Sequence, residues 1–125
     1  MTDREVTMSK PAVHTNLVAH DKALEAAGQS IALALKVPAP LKSIADQVIR
    51  AANSVAANLA EGQGRIGRDR MHFLRIAYAS AREIDSHLQL LARTGAVDSR
   101  RAAQALATFD EVRAMTWRLL NPRRC

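Results

Sequence analysis

Four stretches of this chain place apolar residues at alternating steps of three and four, and this spacing constrains the fold more than any other feature. Residues three or four apart lie on one side of an α-helix, so each stretch predicts a helix with one apolar face. The chain is therefore expected to be all-α. The predicted faces are, in order, Leu17, Ala23, Leu24, Ala27, Ile31 and Leu35; Leu41, Ile44, Val48, Ala52, Val55 and Leu59; Leu74, Ala77, Ala81, Ile84, Leu88 and Leu91; and Ala102, Leu106, Phe109, Val112, Thr116 and Leu119.

Residues that end helices separate the four stretches. Pro38 and Pro40 end the first helix, the glycine-rich run 62–68 separates the second from the third, and Gly95 provides a left-handed C-terminal cap for the third. Pro122 stops the last helix. Because the connections are short, neighbouring helices should run antiparallel, which predicts an up-down four-helix bundle.

Size and composition agree with this prediction. A chain of 125 residues suits one domain, and we assign residues 17–125 to the bundle. Residues 1–16 lack the periodicity and contain Pro11, so they are predicted to form a flexible N-terminal arm. Apolar residues make up 48% of the chain but aromatic residues only 3%, so the core must consist mainly of Ala, Leu, Val and Ile. Such a core favours helices over a β-sandwich.

The sequence predicts a cytoplasmic protein without a membrane role. No stretch approaches the roughly 18 consecutive apolar residues of a membrane span. The opening residues carry acids where a signal peptide would have a basic segment leading into an apolar one. The single cysteine, Cys125, is the last residue, so it cannot form an intramolecular disulfide or a cysteine-based metal site.

The chain is basic, with 18 Lys and Arg against 12 Asp and Glu and a formal net charge of +6. This balance suits two partners, a nucleic acid or an acidic protein surface. Several arginines are predicted in loops and at helix ends, where their side chains can reach a phosphate backbone. They are the candidate nucleic-acid-binding residues Arg65, Arg68, Arg70, Arg100, Arg101, Arg123 and Arg124. No set of stacking aromatic residues accompanies them, so sequence-specific recognition is not expected.

The patterns that could indicate catalysis or a cofactor lack their structural context. The run 62–67 matches G-x-G-x-x-G, but an Ala-rich helix precedes it rather than the buried strand that a dinucleotide site needs. A di-iron site in a bundle needs two Glu-x-x-His pairs, and the chain has none. No Cys/His pair or Ser-based triad is visible. We therefore predict no enzyme, cofactor or metal, and keep phosphate binding at the start of the third helix as an alternative.

Two further patterns predict how helices and subunits fit together. Polar residues within the helical pattern must find partners when buried, so we predict a hydrogen-bonded structural network. Its members are Gln47, Arg50, Asn58, Glu61, Ser80 and Glu83. A second apolar stripe on the middle helices has no place in the interior of a monomer, so we predict self-association. This stripe comprises Ala45, Ile49, Ala56, Phe73, Ile76, Ala79 and Leu90.

Two central segments of the chain resemble a known family. Residues 47–65, QVIRAANSVAANLAEGQGR, and 73–88, FLRIAYASAREIDSHL, are similar to signature blocks of the S23 proteins, which are named after the intervening sequences of bacterial 23S ribosomal RNA genes. Residues 17–23 and 37–38 resemble the family's opening segments more weakly. The sequence departs from the family at His20, Val37 and Ala79, where an aromatic residue, Phe and Gly are usual; these positions bear on packing.

The resemblance implies a four-helix bundle that forms a homopentameric ring. It also implies a distant likeness to the accessory proteins of diversity-generating retroelements, basic pentamers that bind a reverse transcriptase and nucleic acid. It supplies no catalytic residues. Our first hypothesis is thus a non-enzymatic basic oligomer that binds RNA or DNA, or serves as an accessory subunit to a protein that handles them. The alternative is a protein-interaction scaffold for an acidic partner.

Overall fold

The computed structural model describes residues 9–122, which form four α-helices and a short 3₁₀ turn but no β-strand. Helix α1 spans Lys10–Ala34, α2 spans Lys42–Gln63, α3 spans Gly67–Arg93 and α4 spans Ser99–Leu120, and the 3₁₀ turn Ala39–Leu41 precedes α2. The prediction of an all-α chain with four helices is confirmed.

Each helix packs against two others. Helix α1 contacts α2 and α4, and α3 contacts the same two helices. The short connections reverse the chain direction each time, so the start of α1, the end of α2, the start of α3 and the end of α4 share one end of the bundle, here called the lower end. The opposite end is the upper end. None of the helices built from residues 10–120 has the length and apolar character needed to cross a membrane.

The first helix begins earlier than predicted, so the boundary of the N-terminal arm at residue 16 is wrong. Ser9 is the N-cap, and its side chain accepts a hydrogen bond from the backbone amide of Ala12 at 3.2 Å. Pro11 lies in the first turn, where a helix tolerates proline because the amide has no partner there. Asn16 is fully buried, and its Nδ2 donates to the carbonyl oxygen of Leu59 at 3.2 Å. The rest of the predicted arm, residues 1–8, lies outside the described residues.

The buried face of α1 also differs from the predicted one. Leu17, Leu24 and Leu35 are 54%, 52% and 73% exposed, whereas small residues face the interior. Alanines let helix backbones approach closely, so the side of α1 that carries the alanines packs inward, while Leu17, Leu24 and Leu35 remain outside. The buried residues of α1 are Asn16, Ala19, Ala23, Ala26, Ala27, Ser30, Leu33 and Ala34.

In α2, α3 and α4 most of the predicted core residues are buried, from Val48 on α2 through Leu88 on α3 to Phe109 on α4. The second apolar stripe is only partly external, because Ala45 and Ala56 are buried within the subunit's own core. Helix α2 lies between α1 and α3, so its buried face is wider than a single stripe. Ala79 and Leu90 on α3 are exposed.

The glycine-rich run is a tight helix–helix turn rather than a long loop. Helix α2 continues through Gly62, where an added Cβ would lie 3.3 Å from Leu74 Cδ2, so this glycine permits close packing of α2 on α3. Helix α3 starts at Gly67, whose φ of +57° favours glycine. At the upper end Gly95 has a φ of +81°, as predicted for a left-handed cap.

Candidate nucleic-acid interface

The arginines predicted to bind nucleic acid do not form one surface. Arg65, Arg68 and Arg70 lie at the lower end, whereas Arg100 and Arg101 lie at the start of α4, at the upper end. The 27-residue helix α3 separates the two groups by about 40 Å at 1.5 Å per residue. Residues 123 and 124, which complete the predicted set, lie outside the described part of the chain.

Arg65 is held by two carboxylates and is a poor candidate for binding phosphate. Its Nη2 lies 2.8 Å from Glu61 Oε2 and its Nη1 lies 3.0 Å from Asp69 Oδ2. Hydrogen bonds to Glu61, which has the larger effect, and to Asp69 raise the pKa of Arg65 above its ordinary value. The guanidinium also lies 5.1 Å from the centre of the Phe73 ring, close enough for a cation–π contact. Arg65 therefore joins the end of α2 to the start of α3.

Arg68 and Arg70 have different environments. Arg68 is exposed, and no ion pair is found for it among residues 9–122. Arg70 is half-buried, its Nε has no hydrogen-bond partner there, and burial lowers the pKa of its guanidinium. Ile66 is the N-cap of α3 and supplies no capping side chain, while Asp69 lies within the first turn. Of the lower-end candidates, Arg68 is thus the most available.

At the upper end, Asp98 forms an ion pair with Arg101, one of the two candidate arginines there. Its carboxylate accepts a hydrogen bond from the backbone amide of Arg101 at 3.2 Å and lies 3.9 Å from the Nε of the same residue. Asp98 is thereby the N-cap of α4. Arg100 is exposed without an ion pair in the described chain.

The six predicted members of the polar network divide into separate contacts. Ser80 and Ser54 share a hydrogen bond of 2.9 Å between α3 and α2, and Asn58 Nδ2 donates to Ser54 Oγ at 3.1 Å. Two of the predicted members, Ser80 and Asn58, are thus connected through Ser54, which the prediction did not include. Glu61 instead pairs with Arg65, as described above, and Glu83 lies 3.4 Å from His87 Nε2.

The remaining two members, Gln47 and Arg50, are surface residues. They line a shallow pocket on α2 together with Ser43 and Asp46, and Arg50 is exposed. They are therefore not part of a network that joins helices.

A row of arginines on α3 was missed by the sequence analysis. Arg68, Arg75 and Arg82 follow one another at steps of seven, so they lie on one side of the helix at intervals of about 10.5 Å. All three are exposed, and no carboxylate within residues 9–122 forms an ion pair with any of them. We call these three residues the arginine row. The constant spacing of seven was visible in the sequence, but the absence of acid partners was not.

A groove between α3 and α4 adjoins the arginine row. It has a volume of about 570 Å³ and is lined by Tyr78 on α3 and by Asp110, Arg113, Trp117 and Arg118 on α4. Tyr78 lies one turn from both Arg75 and Arg82 on the same side of α3. We call this the aromatic groove. Only the folded chain brings its two rings together, because they belong to different helices.

The described residues contain no group of three or more His, Cys, Asp or Glu side chains that could hold a metal ion. The geometry instead gives a basic surface, in which an arginine row without ion pairs in the described chain lies beside a groove lined by aromatic side chains, arginines and Asp110. Such a surface can bind phosphates and flat rings.

The comparisons with known proteins point to one family. Residues 15–118 match the family model described as 23S rRNA-intervening sequence protein. The chain belongs to this family. The match includes both signature blocks, so the resemblance to S23 proteins is confirmed.

A solved structure supports the same assignment. It is a protein with unknown function from the S23 ribosomal protein family of Bacteroides thetaiotaomicron, 25% identical to this chain. The two superpose with a TM-score of 0.76 over 85% of this chain and 97% of the other. No curated protein matches the sequence. Membership of the family of 23S rRNA-intervening sequence proteins therefore agrees with the four-helix fold of this chain. The S23 structure that it resembles is described as a protein with unknown function.

Proposed function

We propose that this chain is a non-enzymatic, basic bundle protein that binds RNA or DNA mainly through the phosphate backbone, either alone or as an accessory subunit to a protein that handles nucleic acid. The observation that carries the proposal is the arginine row, Arg68, Arg75 and Arg82. Three exposed guanidinium groups on one side of α3, without an ion pair to any carboxylate within residues 9–122, are available to an external anion. The net charge of +6 favours the approach of a polyanion.

The structure changes which arginines we expect to matter. Of the seven arginines that the sequence predicted, three lie at the lower end, but Arg65 forms ion pairs with Glu61 and Asp69, and Arg70 is half-buried, which leaves Arg68. Replacing Arg65 or Arg70 would therefore disturb the turn between α2 and α3 as well as any binding of nucleic acid. The arginine row can be altered without removing a described ion pair.

The test is fluorescence anisotropy with a labelled RNA and a labelled DNA across a salt series. We expect binding that depends little on sequence and weakens steeply as salt rises, because each neutralised phosphate releases counterions. Replacing all three arginines of the row by Gln should weaken binding. The slope of log K against log salt should become shallower by roughly two to three, because each phosphate that is no longer neutralised reduces the slope by about 0.7–0.9.

A matched control separates position from net charge. Replacing Lys36, Arg50 and Arg93 by Gln removes the same charge from exposed sites towards the upper end that are not candidate binding residues, again without breaking an ion pair among the described residues. We expect this variant to keep most of the affinity and of the salt slope. Equal losses in both triple variants would show that overall charge, rather than the arginine row, governs binding. No binding of either nucleic acid at low salt would defeat the proposal and favour a scaffold for an acidic protein.

We also propose that the protein self-associates through the outer side of α1, with five subunits as the resemblance implies. Leu17 and Leu24 are more than half exposed, and Ile31 follows at the same step of seven, a spacing typical of a helix–helix seam. Gly28 lies in the same stripe, with nothing within 4 Å of the position of a Cβ. We call Leu17, Leu24, Gly28 and Ile31 the leucine face, and its proposed occupant is a second copy of the chain.

Light scattering after gel filtration tests this proposal. The parent should have the mass of an oligomer at micromolar concentration, and Leu17→Gln combined with Leu24→Gln should lower that mass while the helix content stays the same. Ile66→Gln, at an equally exposed apolar residue in the turn before α3 that belongs to neither apolar stripe, serves as the control and should leave the mass unchanged. A parent that elutes as a monomer would contradict the proposal. An oligomer that survives the double variant would place the contact on another face.

A further inference from the structure

The aromatic groove contains both the single tryptophan and the single tyrosine of the chain. Trp117 is 52% exposed although it is the largest apolar side chain available for a core otherwise built largely from Ala, Leu and Val. Burying an aromatic side chain normally contributes strongly to stability. An indole left half in solvent, in a protein so poor in aromatic residues, therefore indicates a use other than packing within the subunit.

Within the described chain neither ring of the groove is paired with another aromatic ring, and Trp117 is exposed while Tyr78 is half-buried. Among residues 9–122 the only paired rings are His72 and Phe73, so Tyr78 and Trp117 stack neither on each other nor on another ring. The backbone that carries Trp117 is well held, because Asn121 donates to its carbonyl oxygen from both the backbone amide at 2.8 Å and Nδ2 at 3.0 Å. The half-exposed indole thus belongs to a residue in the last turn of α4, which Asn121 caps.

Two arginines, Arg113 and Arg118, line the groove together with the rings. Arg113 Nη2 lies 2.8 Å from Asp110 Oδ1. Arg118 has no ion-pair partner in the described chain, and Arg75 and Arg82 flank Tyr78 on α3. Flat aromatic faces interleaved with arginines bind bases by stacking while the arginines contact phosphates.

We propose that the aromatic groove binds bases of single-stranded nucleic acid, with Trp117 as the stacking platform and Arg118 and the arginine row along the backbone. This proposal rests on the proposed function and adds to it a preference for single strands over duplexes. Phosphate contacts alone accept single and double strands alike, whereas a duplex hides the faces of its bases. An acidic peptide would satisfy the arginines but would leave both rings unused.

The single tryptophan makes the groove directly observable. Intrinsic fluorescence of the full-length protein is recorded while unlabelled oligouridylate, oligodeoxythymidylate or a duplex is added, each longer than a binding site of roughly 4–16 nucleotides. We expect both single strands to quench the emission of Trp117 at saturation, and the duplex to bind with much less quenching. Equal quenching by the duplex, or binding of single strands without any change in emission, would overturn the proposal.

Two variants link the signal to affinity. By anisotropy with a labelled single strand, Trp117→Leu should bind about fivefold to a hundredfold more weakly, the range expected for losing one stacked base, while Trp117→Phe should recover most of the affinity. Leu90→Ala, another exposed apolar residue, is the control and should bind like the parent. Circular dichroism and light scattering check that fold and mass are unchanged.

The possible results separate this proposal from the proposed function. If Trp117→Leu binds single strands as tightly as the parent, the groove is not the site and the phosphate-binding function stands. If no nucleic acid binds at low salt, both fall together. Emission that shifts on dilution of the protein but not on addition of oligonucleotide would overturn base stacking and assign Trp117 to a contact between subunits.

Discussion

Replacing Asn16 by Asp should strongly destabilise the protein, because this side chain is fully buried between α1 and α2. Its Nδ2 donates to the carbonyl oxygen of Leu59 at 3.2 Å, while its Oδ1 has no partner in the described structure. Asp has almost the same shape but turns the donor into an acceptor. At neutral pH an unpaired carboxylate would then face a carbonyl oxygen at a site without solvent.

An unpaired charge at such a position costs about 3–5 kcal/mol, a large part of the 5–15 kcal/mol that typically stabilises a domain. The loss of stability should depend on pH, and its direction can be predicted. Burial raises the pKa of the new carboxyl in the folded state, so the folded protein binds more protons than the unfolded chain between the two pKa values. Stability should therefore fall as pH rises through that window and recover as pH falls, when the protonated group can donate to Leu59.

Urea denaturation followed by circular dichroism measures this effect at several pH values. Asn53→Asp is the matched control, because it makes the same chemical change at an exposed position of α2 and should alter stability by no more than about 0.5 kcal/mol. If Asn16→Asp unfolded at the same urea concentration as the control at neutral pH, Asn16 would not be buried. The first turns of α1 would then be the flexible arm that the sequence suggested.

Three other changes test the packing. Val55→Asp and Leu88→Asp should each prevent folding, since both positions are fully buried; a soluble variant with parental circular dichroism and melting would refute the core assignment. Gly28→Ala should raise the melting temperature through about 0.5–1 kcal/mol of helix propensity, yet lower the mass seen by light scattering if a second subunit covers the leucine face; an unchanged mass would count against that face. Gly95→Ala should lower the free energy of unfolding by about 1–2 kcal/mol, because its φ of +81° is unfavourable for alanine; an unchanged denaturation midpoint would show that the cap can relax.

The sequence was sufficient to predict α2, α3 and α4 because large apolar residues mark their inner sides without ambiguity. Val48, Leu88 and Phe109 are large apolar residues with polar residues on the opposite side of each helix, and all three are buried. Helix α1 carries two competing stripes, one of leucines and one of alanines. The apolar spacing predicts that the larger residues of α1 face the core, but close packing of the helix backbones places the smaller ones there. A single sequence does not show how closely the helices pack.

The candidate site was less predictable for a related reason. A solvated charge and a paired charge look alike in sequence, and only the folded chain shows that Arg68, although it adjoins Asp69, forms no ion pair among the described residues. The contacts of Arg65 were in principle visible, because Glu61 and Asp69 each lie one helical turn away in sequence. The pairing of Tyr78 with Trp117 in one groove had no such signal, because it depends on the register between α3 and α4.

The alanines of α1 also determine which random mutations the protein can survive. At Ala19, Ala23 and Ala26, which are fully buried, nearly every single-nucleotide change introduces a bulkier or polar side chain. Overpacking of this kind typically costs about 1–3 kcal/mol, comparable to emptying a site elsewhere in the core. In a library of variants selected for solubility, the least tolerant positions of α1 should thus include its smallest residues, while Leu17 and Leu24, which a hydropathy plot would single out, accept substitution freely in the isolated subunit.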